Sequence, residues 1–158
     1  SLNEKLKQVS FPSTDKSNVI RVIEGPQENF FSSETINQFY NSPFTISKSA
    51  DRMGIRLDGN QITSKQSPNI PSEGIVKGSV QVPGDGNPIV LMVDHPTIGG
   101  YPKIATVILK DIAKLAQLSF GKEIRFEKIS IETAEDLFYE NQNDLKEIFK
   151  TISNVKKN

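Results

Sequence analysis

The sequence has no cysteine and no tryptophan among its 158 residues, and it has a single histidine. The absence of cysteine excludes disulfide bonds and thiolate metal sites, and it is consistent with a reducing cytoplasm as the location. Basic and acidic residues are equal in number, 19 each, so no overall field favours binding to a nucleic-acid backbone or an anionic membrane surface. No apolar run approaches the roughly 18 residues of a membrane span. We therefore expect neither nucleic acid nor membrane as a partner.

Several catalytic motifs are also missing from the sequence. It contains no glycine-rich phosphate loop, no cluster of metal ligands and no Ser-His-Asp spacing. We therefore expect no metal site and no cofactor bound by this chain itself, and any chemistry must be shared with another chain.

The sequence pattern divides the chain into three parts. Residues 1–18 are polar and predict a flexible tail or linker, and residues 19–131 hold most of the apolar β-type segments. Residues 132–158 repeat apolar side chains at helical spacing, which predicts one amphipathic helix. We expect this helix to pack on the preceding domain through four side chains, Leu137, Phe138, Leu145 and Phe149.

Short apolar segments dominate the middle part. VIRVIEG, the two halves of FTISKSADRMGIRLDG, EGIVKGSVQV, PIVLMVD and EIRFEKI predict strands, whereas SSETINQFY and LKDIAKLAQL predict short helices. The stretch QITSKQSPNIPSEG, between the strands, predicts a loop. About seven short strands with few helices indicate a β-barrel or sandwich rather than alternating β and α units.

The segment PGDGNP joins two predicted strands and contains Gly84, Asp85 and Gly86. Glycine at these positions permits a tight hairpin, which is the structural interpretation. The same glycines also allow backbone N–H groups to approach a substrate carboxylate or oxyanion, which is the functional interpretation. The sequence leaves both open.

The segment TIGGYPK offers a second glycine-rich passage. It is either a flexible lead-in to a strand with an exposed lysine, or a bend that directs a phenol and a cation into a cleft beside PGDGNP. In the second case Tyr101 and Lys103 are catalytic candidates, and the substrate-binding candidates are Thr97, Gly99 and Gly100.

Three further polar residues accompany these segments. Gln81 and Asp94 flank the hairpin on its two strands, and Arg52 lies in ADRMG, where its guanidinium could clamp a carboxylate. An ordinary surface ion pair is the alternative for Arg52. We count Asp94 with the catalytic candidates and Gln81 and Arg52 with the substrate-binding ones.

Five segments in order resemble one protein family. They are IRVIEGPQENFF, SADRMGIRLDG, SEGIVKGSVQVPGDGNPIVLMVD, TIGGYPKIATV and LAQLSFGKEIRFEKIS. Together they resemble the C-terminal half of the KipA-like family, also called the 5-oxoprolinase C-subunit or allophanate hydrolase subunit 2, which is related to the carboxyltransferase part of urea amidolyase. The resemblance implies a mainly β fold, a cyclophilin-like β-barrel with short peripheral helices and a C-terminal amphipathic helix.

The resemblance also implies an incomplete unit, because family members are about twice as long and the sequence begins at Ser1 rather than Met. It implies a non-autonomous subunit of an ATP-dependent amide hydrolase that opens a cyclic amide. The implied partners are the N-terminal half of the same subunit, a KipI-like protein (the 5-oxoprolinase B-subunit) and a larger ATP-using subunit. ATP would enter through that larger subunit, and we expect the isolated chain to be inactive.

Two alternatives remain open at the level of sequence. One is a KipA-like regulator that binds a KipI-like inhibitor of a sensor kinase without turnover. The other is a carboxyltransferase domain of a biotin enzyme like urea amidolyase, although the chain has no biotin-accepting Met-Lys motif. The chain departs from the family pattern at His95-Pro96 and Asn87, which weakens the case for full activity and for a catalytic role of the lone histidine.

Overall fold

Within residues 17–157, which the computed structural model describes, nine strands and three α-helices follow one another along the chain. The strands are β1 Val19–Glu24, β2 Phe44–Ile46, β3 Gly54–Gly59, β4 Glu73–Gly74, β5 Ser79–Gln81, β6 Ile89–Leu91, β7 Ile98–Gly99, β8 Lys103–Val107 and β9 Glu123–Lys128. The helices are α1 Ser33–Asn41, α2 Leu109–Leu115 and α3 Ile131–Lys157, and a short 3-10 turn covers Glu28–Phe30.

Seven of the strands form a closed barrel in the order β1-β8-β5-β6-β3-β2-β9. Strand β9 closes it by pairing parallel to β1, from Val19 opposite Arg125 to Val22 opposite Lys128, while every other barrel pair is antiparallel. The remaining strands, β4 and β7, form a separate two-stranded ribbon. The prediction of a mainly β barrel with few helices is confirmed.

The barrel interior is filled by alternate side chains of the strands, as the period of two requires. Ile20 and Val22 of β1 are fully buried, and so are Phe39 of α1 and Phe44 of β2. The ring of Phe39 stacks on that of Phe126 with centroids 4.6 Å apart. The helix that carries Phe39 starts where predicted, because the Ser32 side chain accepts a hydrogen bond from the Thr35 N–H at 3.1 Å.

Helix α2 is fixed to the barrel by a buried ion pair. The Asp111 carboxylate is 1% exposed and accepts hydrogen bonds from the Arg21 backbone N–H at 2.7 Å and from its Nε at 2.9 Å. A carboxylate with this many donors tolerates burial. The contact joins α2 to β1 and supports the strand at which the barrel closes.

The strands of the structure differ from the predicted ones in two places. EGIVKGSVQV does not form one strand, because Gly78 adopts a φ of 90° and turns the chain between β4 and β5. A Cβ atom at Gly78 would lie 2.8 Å from the Val107 carbonyl oxygen, so the turn also requires close backbone packing. Strand β8 was not assigned from the sequence, although it lies in the barrel wall between β1 and β5.

Helix α3 forms as predicted, but of the four side chains predicted to pack on the barrel only Leu137 and Phe138 line a groove against it. The side chains of Phe138 and Leu145 are each 42% exposed, and that of Phe149 is 65% exposed. Only the first turns of the helix lie near the barrel, where Leu137 lines a groove with β1, β8 and α2, and Lys110 pairs with Glu140 at 2.7 Å. The amphipathic pattern therefore identified the helix but not the surface that covers its apolar face.

Residues 1–16 of the predicted tail lie outside the described residues, and the proposed boundaries of the three parts stay predictions. In residues 17–157 no helix combines the length and the apolar character that crossing a bilayer requires.

We predict opposite outcomes for two phenylalanine truncations. Phe39→Ala removes a fully buried ring and should lower the free energy of unfolding by about 3–5 kcal/mol. Phe149→Ala removes a ring that is 65% exposed and should change it by less than about 0.5 kcal/mol. Urea unfolding followed by circular dichroism measures both, and a loss for Phe149→Ala as large as that for Phe39→Ala would show that the end of α3 is packed.

Candidate functional site

Gln81 and Lys103 lie side by side in the barrel wall. They are paired residues on β5 and β8, next to an irregularity in the register between Val80 and Gln81. Both are buried polar residues in a mostly apolar wall, with Gln81 5% exposed and Lys103 3% exposed. Long polar side chains are seldom buried to this extent without a partner, so this point of the wall is where a function is expected.

The charge of Lys103 is balanced by a carboxylate on the ribbon. Its Nζ donates to Oε1 of Glu73 on β4, and the side chain of Glu73 is 44% exposed. The same Glu73 oxygen accepts a hydrogen bond from Nε2 of Gln27 at 2.8 Å. Oε1 of Gln27 in turn accepts a hydrogen bond from the Lys103 backbone N–H at 3.1 Å. The hydrogen bonds from Lys103 and then from Gln27 hold the pKa of the Glu73 carboxyl below its ordinary value.

Gly25 brings Gln27 into this arrangement. A Cβ atom at Gly25 would lie 2.4 Å from the Lys103 carbonyl oxygen, so only glycine lets the chain after β1 lie against β8. The Gly25 N–H donates to the Ile104 carbonyl at 3.0 Å, and the Gln27 N–H donates to the Lys103 carbonyl at 3.1 Å. Neither Gln27 nor Glu73 was among the site residues predicted from the sequence, and the Gly-Pro break after β1 is the signal that could have pointed to Gln27.

The ribbon covers the second polar residue as well. Gly99 is the β7 partner of Glu73, and a Cβ atom at Gly99 would lie 2.7 Å from Nε2 of Gln81. Among the described residues this buried Nε2 has no hydrogen-bond acceptor. A buried donor without an acceptor is costly by about 1–3 kcal/mol and calls for an explanation.

The structure therefore brings three predicted site residues together, namely Gln81, Gly99 and Lys103. The chain leaves β6, turns at Asp94 and returns by Gly99 to Gln81, which is the fold-back that the predicted cleft requires. The Val82 N–H donates to the Pro102 carbonyl at 2.9 Å, so the strand leading into PGDGNP ends beside the end of TIGGYPK. The ligand-binding role of these residues stays a prediction.

The glycines of PGDGNP pack against the loop that precedes the ribbon. A Cβ atom at Gly84 would lie 3.5 Å from the Pro68 side chain. Gly86 has a φ of 76°. The Gly86 N–H donates a hydrogen bond to the Pro83 carbonyl at 3.0 Å, and the Gly86 carbonyl accepts one from the Ile62 N–H at 2.8 Å. The Gly86 amide is thus already bonded within the hairpin, and Asp85 accepts from the Asn87 N–H at 3.0 Å. These contacts correspond to the structural interpretation of the hairpin.

Arg52 and Asp94 form a pair of their own. Their side chains contact at 2.8 Å and are 81% and 47% exposed, so a surface ion pair, the alternative interpretation of Arg52, is what the structure contains. Gln81 pairs with the first residue of β6, next to the hairpin, whereas Asp94 follows the last residue of β6, so the strand lies between Asp94 and the hairpin.

The other candidates are not in contact with Lys103 in any hydrogen bond described above. Tyr101 is 40% exposed. The backbone carbonyl of Thr97 accepts a hydrogen bond from the Ile75 N–H, and that of Gly100 accepts one from the Ile70 N–H.

A cleft of about 430 Å³ opens beside the Lys103 ion pair. Its walls are formed by Gln27, Phe30 and the loop from residue 66 to Glu73, which is the segment QSPNIPSE. The lining is mostly amide and hydroxyl side chains around one carboxylate. Across residues 17–157, no group of three or more His, Cys, Asp or Glu side chains is placed to hold a metal ion.

The sequence that forms the barrel and the ribbon matches a known family. Residues 2–128 match the family described as carboxyltransferase domain, subdomain A and B, and the chain belongs to this family. The resemblance inferred from the five sequence segments is confirmed.

Particular relatives show how much of a larger protein the chain represents. It is 38% identical to the 5-oxoprolinase C-subunit of Haemophilus influenzae over 134 residues, which are 85% of this chain and 43% of that protein. It is 41% identical to the 5-oxoprolinase C-subunit of Escherichia coli over 117 residues, which are 74% of this chain and 38% of that protein. The chain thus spans less than half the length of these relatives.

A solved structure agrees with the sequence relatives. The urea amidolyase of K. lactis superimposes with a TM-score of 0.78 at 25% identity, over 89% of this chain and 9% of that protein. The same barrel therefore occurs within a much longer polypeptide.

We predict that Gly25 tolerates no side chain. Gly25→Ala places a Cβ atom 2.4 Å from a backbone oxygen and should destabilise the fold by about 2 kcal/mol or more, because neither backbone can move freely. Gly74→Ala is the matched control, since a Cβ atom there meets nothing within 4 Å. Thermal unfolding of both variants tests this; equal melting temperatures would contradict the close approach of the two segments.

We also predict a pH effect at Glu73. Its pKa is lowered from an ordinary value of 4.5 in the folded state. The carboxylate therefore stabilises the fold fully above that value, and the contribution is lost as the pH falls through the lowered pKa. In Glu73→Gln the free energy of unfolding should fall less steeply between about pH 5 and 3 than in the unmutated chain. Parallel pH profiles from urea unfolding would show that the ion pair does not form in solution.

Proposed function

We propose that this chain is part of a non-autonomous subunit of an ATP-dependent amide hydrolase of the 5-oxoprolinase type. The reaction adds water to the activated ring amide of 5-oxoproline, breaks the C–N bond and releases glutamate. The identities of 38% and 41% to the 5-oxoprolinase C-subunits of two bacteria support this proposal.

The pair of buried donors in the barrel wall is the observation that carries the proposal. Lys103 and Gln81 are neighbours on adjacent strands, and both are nearly inaccessible. Donors held in a site of low dielectric bind a substrate oxygen more strongly than they do in water, and they need no reorganisation during the reaction. We assign to Lys103 the charged contact with the substrate and to Gln81 the second hydrogen bond.

A cleft lined by Gln27 and Glu73, the two side chains hydrogen-bonded to Lys103, provides room for a small substrate. Its volume of about 430 Å³ lies in the usual range of about 300–1,000 Å³ for small-molecule sites. Phe30 supplies an apolar surface and Gln27 a carboxamide next to the ion pair. We propose that the substrate ring lies in this cleft with one oxygen directed to Lys103.

The activity requires other chains in this proposal. ATP, bound to a larger subunit, supplies the activation of the amide, while the residues described above bind and orient the substrate. The proposed partners are the other half of the same subunit, a KipI-like protein (the 5-oxoprolinase B-subunit) and that larger subunit, in the cytoplasm. The relatives' designation as one subunit of an enzyme and the coverage of 43% and 38% of their length support a shared site.

A second candidate function is carboxyl transfer in an enzyme of the urea amidolyase type. The family description, carboxyltransferase domain, and the superposition on the K. lactis urea amidolyase favour it. The same two donors would then hold the oxygen atoms of the transferred carboxyl group. Biotin would be attached to another part of the assembly, because this chain has no Met-Lys acceptor motif.

We predict that Lys103→Met lowers turnover of 5-oxoproline by about a hundredfold or more in the reconstituted complex, because a buried charge next to the substrate is lost. Methionine keeps the length of the apolar stem, so the barrel should remain folded. Release of glutamate measures the reaction.

Lys122→Met is the matched control, because Lys122 is an exposed lysine on the same barrel and its loss should leave turnover unchanged. Normal turnover in Lys103→Met, with the variant incorporated in the complex, would exclude Lys103 from the site. Urea carboxylation by the complex, with no glutamate formed from 5-oxoproline, would select the second candidate function.

A further inference from the structure

Two residue pairs are stacked on one another at the site. Glu73 and Gly99 are partners in the ribbon, and Gln81 and Lys103 are partners in the barrel wall. Glu73 binds Lys103, and Gly99 lies directly over the amide of Gln81. The ribbon therefore covers both polar side chains of the wall, Lys103 through Glu73 and Gln81 through Gly99.

The two polar groups of the wall are not equally satisfied. Oε1 of Glu73 accepts from both Lys103 and Gln27. Nε2 of Gln81 is buried and has no acceptor in the part of the chain that the structure describes. The wall thus offers two donors, one of them charged, while the ribbon supplies an acceptor to only one of them.

The Glu73 carboxylate is well suited to leave this position. Its side chain is 44% exposed, whereas that of Lys103 is 3% exposed, so Glu73 can return to water and Lys103 cannot. Each strand of the ribbon is only two residues long, and the ribbon is not part of the barrel. Any group that replaces Glu73 must bring a negative charge, because a buried ammonium group without a counterion is strongly unfavourable.

We propose that the Glu73 carboxylate holds the place of a substrate carboxylate. The substrate's carboxylate displaces Glu73, and its two oxygen atoms accept one hydrogen bond from Lys103 and one from Gln81. The ribbon, which includes Gly99, moves away with Glu73 and so opens Nε2 of Gln81 to a carboxylate oxygen. This inference rests on the proposed function and deepens it: the ligand class is a small amide that carries a carboxylate, and Lys103 binds that carboxylate.

In this proposal the Glu73 carboxylate competes with the ligand's carboxylate for Lys103. Removing its charge in Glu73→Gln should therefore strengthen carboxylate binding by tenfold or more, whereas loss of a merely structural residue should weaken binding or leave it unchanged. The probes are 5-oxoproline and its neutral amide, 5-oxoprolinamide, which have the same ring. Isothermal titration of the reconstituted complex without ATP, assembled with each variant of this chain, measures the dissociation constants of each probe.

We expect 5-oxoproline to bind Glu73→Gln at least tenfold more tightly than the unmutated chain, and 5-oxoprolinamide to bind neither measurably. Glu127→Gln is the matched control, since Glu127 is an exposed glutamate on β9, and it should bind as the unmutated chain does. Lys103→Gln in the Glu73→Gln background should abolish binding. Equal or weaker binding of 5-oxoproline by Glu73→Gln, no binding at millimolar probe, or equal binding of both probes overturns the proposal.

A second measurement reports on Gln81 directly. Its side-chain amide resonances, assigned by their loss in Gln81→Glu, should shift when 5-oxoproline is added to Glu73→Gln and should not move with 5-oxoprolinamide. An unchanged Gln81 signal at saturating 5-oxoproline excludes Gln81 as a carboxylate donor. If these binding results are negative while Lys103→Met still abolishes turnover in the complex, the carboxylate assignment alone is wrong and the proposed function stands.

Discussion

Closure of the barrel at β1 is the constraint on which the rest of the molecule depends. This strand pairs with β8 on one side and with β9 on the other, and Asp111 holds helix α2 to its backbone. At its end, Gly25 permits the chain to run against β8 at a separation that no other residue allows. The closure therefore also sets the position of Gln27 beside Lys103, so the geometry of the fold and that of the site have one origin.

The barrel wall carries a charged residue where an apolar one would be more stable. A buried ion pair rarely exceeds a well-packed hydrophobic contact in its contribution to stability, and Lys103 gains its counterion only from a short ribbon outside the barrel. Leaving Nε2 of Gln81 without an acceptor adds a further cost. Two unfavourable choices on neighbouring strands are typical of a site that is kept for function rather than for stability.

The sequence predicted the mainly β barrel because most of its strands and helices have clear local patterns. Alternation in VIRVIEG and EIRFEKI predicted β1 and β9, and the glycine pairs directed attention to Lys103, Gln81 and Gly99. Glu73 was not identified because it lies at the end of a loop, where no periodicity shows which residues it faces. Its partner was set by the β4–β7 pairing and the turn at Gly78, which are tertiary features.

The same distinction explains two further differences between expectation and structure. An amphipathic pattern shows which face of α3 is apolar, but it does not show which surface covers that face, so Phe149 was expected to be buried and is exposed. Arg52 and Asp94 were assigned to the site because they are polar residues near glycine-rich segments. In the structure the strand β6 separates Asp94 from the hairpin, and the two side chains bind each other instead.

The position of β9 between β1 and β2 has a consequence for synthesis of the chain. The strand that β1 needs for closure is made about a hundred residues after β1 itself. Until Glu123–Lys128 has left the ribosome, β1 and β2 each keep an open edge, and the ring of Phe39 lacks the Phe126 ring on which it stacks. Open strand edges next to exposed aromatic side chains are prone to aggregation. The nascent chain thus exposes these edges and the Phe39 ring throughout the interval between translation of the first barrel strand and translation of the last.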